Sequence, residues 1–166
     1  MVLACLAARD ADRQPPIRDL FERIHSGSTG RAAWRNVLCL CALARGAADR
    51  GDVDLAFEIL DAIPEELRGA FFAPEMQRIR GELLLRRGAR DEAEQCFRRA
   101  VEIAGSRAER SLELRAATSL GQLLVREGRR DEARRTVGGV HDWFTEGFET
   151  ADLRAARGLL DQLRTR

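Results

Sequence analysis

The sequence contains no lysine and no tyrosine, and aromatic residues make up only 5% of its 166 positions. All 28 basic residues are therefore arginines, and 27 acidic residues nearly balance them to a net charge of +1. Both signs are mixed along the whole chain, so the sequence lacks the concentrated positive charge typical of nucleic-acid binding. We therefore expect no nucleic-acid partner.

Histidines and catalytic motifs are also scarce. His25 and His141 are the only histidines, and neither has a second ligand at the spacing that a helical zinc site needs. The sequence contains no G-x-x-x-x-G-K-[ST] phosphate loop, no G-x-G-x-x-G after a strand and no H-E-x-x-H motif. We therefore expect no catalytic residue, no cofactor and no metal, and we do not expect the chain to be an enzyme.

The four cysteines have no C-x-x-C spacing, and long apolar runs are missing. Cys39 and Cys41 are two positions apart, so on a helix they point in different directions and cannot bind one metal together. We expect reduced thiols that pack as small core residues. The opening MVLACLAARD ends its apolar run at Ala8, which is too short for a membrane span. These features predict a cytoplasmic protein without a membrane partner.

Helical periodicity is what the sequence has in quantity. Apolar residues form 45% of the chain and recur three and four apart in WRNVLCLCALARGAADRG, MQRIRGELLLRRG and LELRAATSLGQLLVREG. No segment alternates apolar and polar residues as a half-buried strand does. A chain of this length can bury one ordinary core. We predict one all-α domain.

One short pattern occurs three times, in RGDVDLA, RGARDEA and EGRRDEA, with glycines at positions 51, 88 and 128. Each glycine follows an amphipathic helix, at a point where a residue with a left-handed backbone can end it. Each following aspartate, at positions 54, 91 and 131, is predicted to open the next helix to within a residue. The repeated unit is therefore a helical hairpin.

Alignment on those glycines extends the repeat in both directions. Small residues stand seven positions before the glycines and larger apolar residues nine positions after them: Ala44, Gly81 and Gly121, then Leu60, Phe97 and Val137. We expect Gly81 to lie where two helices touch. This order of residues resembles the tetratricopeptide repeat, most closely in GELLLRRGARDEAEQCFRRAVEIA. The resemblance implies a short superhelix of stacked hairpins, each repeat having about 34 residues.

The C-terminal half carries a second resemblance. Its segments ERSLELRAATSLGQLL, GRRDEARRTV and WFTEGFETADLRAARGLLDQL are similar to the C-terminal helical region of large bacterial signalling proteins. In those proteins an adenylate or guanylate cyclase domain, or a winged-helix DNA-binding domain, precedes an AAA-type or STAND-type ATPase, and tetratricopeptide repeats end the chain. The resemblance implies a regulatory, partner-sensing role and no catalytic residues.

The organisation that we predict has five parts. They are an N-terminal helical segment at 1–30, three hairpins at about 31–64, 73–105 and 108–149, and a capping helix at 150–166. Thr150 is expected to cap the last helix, whose apolar stripe should cover the open end of the stack. That stripe consists of Leu153, Ala156, Leu159, Leu160 and Leu163. We expect Trp143 to help to close the same end.

The concave face of the stack is the place left for function. In tetratricopeptide arrays the first helix of each hairpin lines that face, and its outward side chains can bind a peptide. Alignment places there Cys41, Asp49 and Thr118, and our seven partner-binding candidates: Arg45, Arg78, Glu82, Arg86, Arg115, Gln122 and Arg126. Arginines of neighbouring helices should orient an acidic segment of the partner. Ordinary solvated charges are the alternative.

These observations predict a non-catalytic module that binds a protein or peptide, with a cyclase or ATPase domain as one candidate partner. Because the candidate arginines are expected to be exposed, reversal of Arg78 and Arg115 should leave melting unchanged. One alternative function is a ligand-sensing or self-associating domain of a STAND-type or LuxR-type transcriptional regulator. Another is a small enzyme with an unrecognised site. The sequence determines no oligomeric state.

Overall fold

The structure, a computed structural model, describes residues 16–26, 33–64 and 72–164, which form eight helices and no strand. The predicted all-α class is therefore confirmed for these residues. Most of the predicted N-terminal segment lies outside them. In chain order the helices are α1 (Ile17–Ser26), α2 (Ala33–Asp49), α3 (Val53–Asp61), α4 (Ala73–Arg86), α5 (Arg90–Ser106), α6 (Arg110–Arg126), α7 (Arg130–His141) and α8 (Ala151–Arg164).

Each helix packs against the next one in sequence, and alternate helices also touch. Three pairs of helices, α2–α3, α4–α5 and α6–α7, each form an antiparallel hairpin with a short turn. In addition α2 contacts α4, α4 contacts α6, and α6 contacts α8. The first helices of the three pairs therefore stand in one row, which α8 extends. In the part of the chain that the structure describes, no helix is both long and apolar enough to cross a bilayer.

The core consists of two groups of buried apolar side chains. One group joins α1, α2 and α3 to α4, and includes Leu43 and Ile59, which are fully buried. The other joins α5, α6, α7 and α8, and includes the fully buried Phe97 and Leu124. Leu84 of α4 packs against both groups. The core is therefore continuous along the row of helices.

Small residues lie where the two helices of a pair approach each other. A Cβ atom on Gly81 of α4 would lie 2.6 Å from Cε1 of Phe97 in α5. A Cβ atom on Gly121 of α6 would lie 2.5 Å from Cγ2 of Val137 in α7. Both separations are far below van der Waals contact, so only glycine fits. The expectation that Gly81 lies in a helix contact is confirmed.

The same turn ends four helices rather than three. Gly51, Gly88 and Gly128 have φ angles of +88°, +80° and +79°, and Ala108 after α5 has a φ of +54°. At each turn the amide of the next residue donates to the carbonyl five positions earlier, as from Glu109 to Ala104 at 2.9 Å. This pattern is a Schellman C-cap. The glycine pattern in the sequence does not include the fourth turn, because an alanine, Ala108, takes the left-handed position there.

The aspartates of the repeat do not cap the helices, which is a correction to the prediction. Helices α3, α5 and α7 each begin one residue before the repeat aspartate, which agrees with the predicted helix starts, but Asp54, Asp91 and Asp131 then lie inside the first turns rather than at the cap position. There a carboxylate still interacts favourably with the helix dipole. The cap of α3 is Asp52, whose carboxylate accepts a hydrogen bond of 3.0 Å from the Leu55 amide. Neither α5 nor α7 has a side-chain cap.

Helix α8 covers the end of the row. Its buried stripe packs against α6 and α7, and Leu159 approaches the Gly121 position, where its Cδ2 would lie 3.0 Å from a Cβ atom. The Thr150 carbonyl accepts the first backbone bond of α8, from Arg154. Trp143 does not close this end: it is 58% exposed, after α7 has ended at His141. The expectation for Trp143 is therefore wrong: the buried stripe of α8 covers this side of α6, and the exposed Trp143 ring lies 5.5 Å from the Arg110 guanidinium.

Replacing Ala108 by Gly should stabilise the protein by about 0.5–1 kcal/mol. A Cβ atom in the left-handed region costs roughly 1–2 kcal/mol, and the extra freedom of glycine in the unfolded chain offsets only part of that gain. Urea unfolding would measure the difference. The control is the same change at Ala155, an exposed position inside α8, where glycine should instead destabilise by roughly 0.5–1 kcal/mol. A loss of stability in Ala108→Gly would contradict this account of the turn.

Candidate binding groove

A groove of about 370 Å³ lies along the row formed by α2, α4 and α6. Apolar side chains, among them Ile79, Leu83 and Leu123, line its floor. Polar side chains from all three helices line it as well: Arg45, Asp49, Glu82, Arg86, Ser119, Gln122 and Arg126. The groove therefore exists only because the three helices stand side by side.

The charged walls follow from the repeat. Counted back from the left-handed residue of each turn, the sixth position holds Arg45, Glu82 and Gln122. The second position holds Asp49, Arg86 and Arg126. Positions four apart on a helix lie on one side of it, and equivalent positions of stacked hairpins lie side by side. The groove is thus crossed by two rows of three side chains.

Five of the seven partner-binding candidates line the groove, and two do not. The five are Arg45, Glu82, Arg86, Gln122 and Arg126. Arg78 and Arg115 lie outside the lining, nearer the start of α4 and α6. Ser119 also lines the groove, although it is not among the candidates predicted from the sequence. The groove lining therefore includes the candidates nearest the turns and excludes the two nearer the helix starts, and their role in partner binding stays a prediction.

Arg78 is buried, which corrects its expected exposure. Only 6% of its surface is accessible. Cys41 and Thr118, at the equivalent position of the other two helices, are also buried. The reason is geometric: four residues of α-helix turn by about 40° more than one full revolution, so a series over eight residues drifts by about 80°. That drift carries the far end of the series into the contact with the neighbouring helix.

Arg78 forms a buried ion pair with Glu75, whose exposure is 7%. Its Nη2 donates to Glu75 Oε1 at 2.7 Å and its Nε donates to Oε2 at 2.9 Å, which is a bidentate arrangement. Its Nη1 donates to Glu82, which stands at the edge of the groove. The sequence signal for this triad was the i,i+3 and i,i+4 spacing of the three residues. Its burial could not be inferred from that spacing.

Burial and charge act in opposite directions on these groups. Burial alone would raise the pKa of Glu75, but hydrogen bonds and charge from Arg78, with charge from Arg115 and Arg45, lower that pKa below its ordinary value. Burial alone would lower the pKa of Arg78, and the carboxylates of Glu75 and Glu82 raise it. Burial, with the charge of Glu75, raises the pKa of the nearby Cys41 thiol to about 12. The pair is therefore ionised and the thiol is protonated at neutral pH.

Arg115 extends the charged cluster from α4 to α8. Its Nη2 lies 3.5 Å from Glu75 Oε1, and its Nε lies 3.5 Å from Asp152 Oδ2. The side chain of Arg115 is 31% exposed. Arg115 therefore bridges acidic groups of the two neighbouring helices.

Within the groove one arginine is tied to a carboxylate and two form no ion pair with the described residues, although the charge of Arg45 also acts on Glu75. Arg86 Nη2 donates to Asp49 Oδ1 at 2.6 Å, and Arg86 Nη1 donates to the Ala48 carbonyl, so Arg86 is tied to α2. Arg45 and Arg126 are exposed and have no hydrogen-bond or ion-pair partner among the described residues. The residues free to receive a ligand are thus Arg45, Arg126 and the uncharged Gln122.

No group of three or more metal-ligating side chains occurs within residues 16–26, 33–64 and 72–164. His141 Nδ1 lies 3.6 Å from Asp142 Oδ1, at the end of α7 and away from the groove. Comparisons of the chain with protein-family models, curated proteins and solved structures found no match. The groove on α2, α4 and α6 is therefore the candidate functional site.

Proposed function

We propose that this chain is a non-catalytic interaction module of the tetratricopeptide type, a short superhelix of three hairpins closed by α8. Its groove on α2, α4 and α6 binds a segment of a protein partner. One observation carries the proposal: a continuous groove receives polar side chains from three successive first helices. The contacts between alternate helices, together with the glycine contacts inside the pairs, support the repeat architecture.

The polar groups of the groove suit recognition better than catalysis. Arginine is always protonated and cannot serve as a base. The two carboxylates of the lining, Asp49 and Glu82, already accept bonds from arginines. Gln122 and Ser119 supply hydrogen-bonding groups without a histidine in the groove lining to activate them. We therefore propose a regulatory role that depends on a bound partner.

The similarity of the C-terminal half to bacterial signalling proteins suggests which partner to test. We propose a domain of a cyclase–ATPase signalling protein, in the cytoplasm, either as a separate protein or on the same chain. A ligand-sensing domain of a transcriptional regulator is the second candidate. One observation favours it: the groove volume of about 370 Å³ lies in the range of small-molecule sites.

A blocked groove should lose the partner. Tryptophan in place of the exposed Gln122 fills the groove without changing charge, and the matched control places tryptophan at Gln95, an exposed position of α5 outside the groove lining. In pull-downs from extracts of the native host, we expect wild type and Gln95→Trp to retain one common protein and Gln122→Trp to lose it. Quantitative mass spectrometry would measure retention, and circular dichroism would verify equal folding.

Retention of the common protein by Gln122→Trp would reject the groove as the binding face. Loss of that protein by both variants would also reject it, because the two substitutions share only their bulk. A groove that retains a small molecule rather than a protein, detected by native mass spectrometry of the purified chain, would favour the ligand-sensing candidate.

A further inference from the structure

We infer that the groove holds an extended acidic segment of the partner, anchored by Arg45 at one side and Arg126 at the other. This inference rests on the proposed function, since it specifies the occupant of the same groove. The expectation based on sequence gave this role to the candidate arginines of neighbouring helices in general, but Arg78 and Arg115 do not line the groove.

Charge complementarity supports an acidic occupant. The lining contains the three arginines Arg45, Arg86 and Arg126, but only two carboxylates, Asp49 and Glu82. Asp49 is bonded to Arg86, and Glu82 is bonded to the buried Arg78 behind the wall. Both negative charges of the groove are therefore already paired, while two positive charges are not. Carboxylates are the groups that two exposed guanidinium groups recognise with matched geometry.

The positions of the two arginines set the length of the segment. Arg45 projects from α2 and Arg126 from α6, with α4 between them. Packed helix axes are about 8–10 Å apart, so the two outer axes are roughly 16–20 Å apart. An extended chain advances about 3.3 Å per residue, which places two anchored carboxylates about six residues apart. Ile79, Leu83 and Leu123 lie on the floor between them, where an apolar side chain fits best.

Asp49 acts as an internal competitor in this arrangement. Its Oδ1 accepts a hydrogen bond from Arg86 Nη2 at 2.6 Å. Because Arg86 lines the groove, Asp49 competes with a ligand carboxylate for this guanidinium group. Asp49 is the last residue of its helix and is itself exposed. Replacing it with Asn removes the negative charge from the wall and weakens the pairing of Arg86. The ligand would then meet a third available arginine.

The test uses two synthetic peptides and the full chain. The acidic probe is acetyl-Ser-Glu-Ser-Ser-Leu-Ser-Ser-Glu-Ser-amide with a fluorescent label, and its match carries Gln in place of both Glu residues. Fluorescence polarisation at low salt would measure both dissociation constants. We expect the acidic probe to bind about tenfold more tightly, because each exposed ion pair contributes modestly, and we expect that preference to decrease with added salt.

Variants locate the effect. Arg45→Gln with Arg126→Gln should weaken binding of the acidic probe about tenfold and leave binding of the Gln probe unchanged. Arg154→Gln with Arg157→Gln, on the exposed face of α8, removes the same charge outside the groove and should change neither. Asp49→Asn should strengthen binding of the acidic probe about threefold. Circular dichroism and melting would show that all these surface variants fold.

The outcomes separate this inference from the proposed function. If both probes bind wild type equally and Gln122→Trp abolishes binding of both, the groove stands and its acidic ligand is rejected. If the acidic probe binds Gln122→Trp as well as wild type, the groove itself is rejected. Equal losses in the groove pair and the α8 pair of variants would show attraction by net charge alone and would overturn the anchoring by Arg45 and Arg126. Failure of wild type to bind the acidic probe would also overturn the inference.

Discussion

Replacement of Arg78 by Ala should lower the free energy of unfolding by about 3 kcal/mol or more. The substitution removes the bidentate partner of Glu75 and leaves a buried carboxylate whose remaining ion-pair partner, Arg115, lies 3.5 Å away. Breaking a buried ion pair from one side typically costs about 3–5 kcal/mol, because the remaining charge is desolvated and uncompensated. Urea unfolding followed by circular dichroism would measure the loss.

Two controls isolate the buried charge as the cause. Arg99 pairs with Glu102 where both side chains are mostly exposed, so Arg99→Ala should cost less than about 1 kcal/mol. The double variant Glu75→Gln with Arg78→Met removes both charges and should recover most of the stability lost in Arg78→Ala. A double variant as unstable as Arg78→Ala would show that packing of the arginine stem, rather than charge, sets the cost.

At acid pH the free energies of unfolding of wild type and Arg78→Ala should differ less than at neutral pH. In wild type the pKa of Glu75 is lowered, so its stabilising contribution is present above the ordinary glutamate pKa and is lost as pH falls through the folded value. In the variant, protonation of Glu75 instead removes the uncompensated charge. The two proteins should therefore approach each other in stability below about pH 4. An unchanged difference at low pH would contradict the assigned role of the carboxylate.

The repeat could be predicted from the sequence because its rules act over short distances. A left-handed glycine, a helix end and a small residue seven positions earlier are all properties of neighbouring residues along one helix. The contact between Gly81 and Phe97 then follows from two local patterns facing each other across a short turn. The turn at Ala108 could not be predicted from the glycine pattern, because an alanine adopts the left-handed backbone conformation that glycine has in the other turns.

Which arginines are buried and which line the groove could not be predicted, because this depends on how three helices are rotated about their axes relative to one another. Arg78 and Arg86 look alike in sequence, yet one is buried against Glu75 and the other reaches across to Asp49. A drift of about 80° over eight residues is enough to move a side chain from solvent into a helix contact. Exposed charge in the groove is thus a tertiary property, and it leaves Arg45 and Arg126 as the available cations.

The buried triad links stability to the groove. Glu75 and Arg78 lie behind its wall, and Arg78 holds Glu82 at its edge. Glu82 would otherwise stand as a free negative charge between Arg45 and Gln122 in the same row. By compensating Glu82, the triad keeps the groove positive while it also joins α4 to Arg115 of α6. Reversal of Arg78 and Arg115 therefore cannot serve as a surface test of binding, since it would disrupt the fold.

Leucine in place of Gly81 should destabilise the fold by about 3 kcal/mol, at the upper end of the usual range for overpacked cores. The added side chain would meet the Phe97 ring, whose Cε1 lies 2.6 Å from the position of a Cβ atom. Phe97 is fully buried, so a shift of its ring would disturb the side chains packed around it. Alanine at the same position should also destabilise, although alanine normally favours a helix over glycine by roughly 0.5–1 kcal/mol.

Gly139 provides the matched control, because there a change from glycine to alanine should have its usual stabilising effect. It lies inside α7, and a Cβ atom there would meet nothing within 4 Å. Gly139→Ala should therefore stabilise the protein by about 0.5–1 kcal/mol, while Gly81→Ala destabilises it, as thermal and urea unfolding would measure. If Gly81→Ala and Gly139→Ala both raise the melting temperature, then α4 and α5 do not approach each other at Gly81, and the register of the middle hairpin would have to be reassigned.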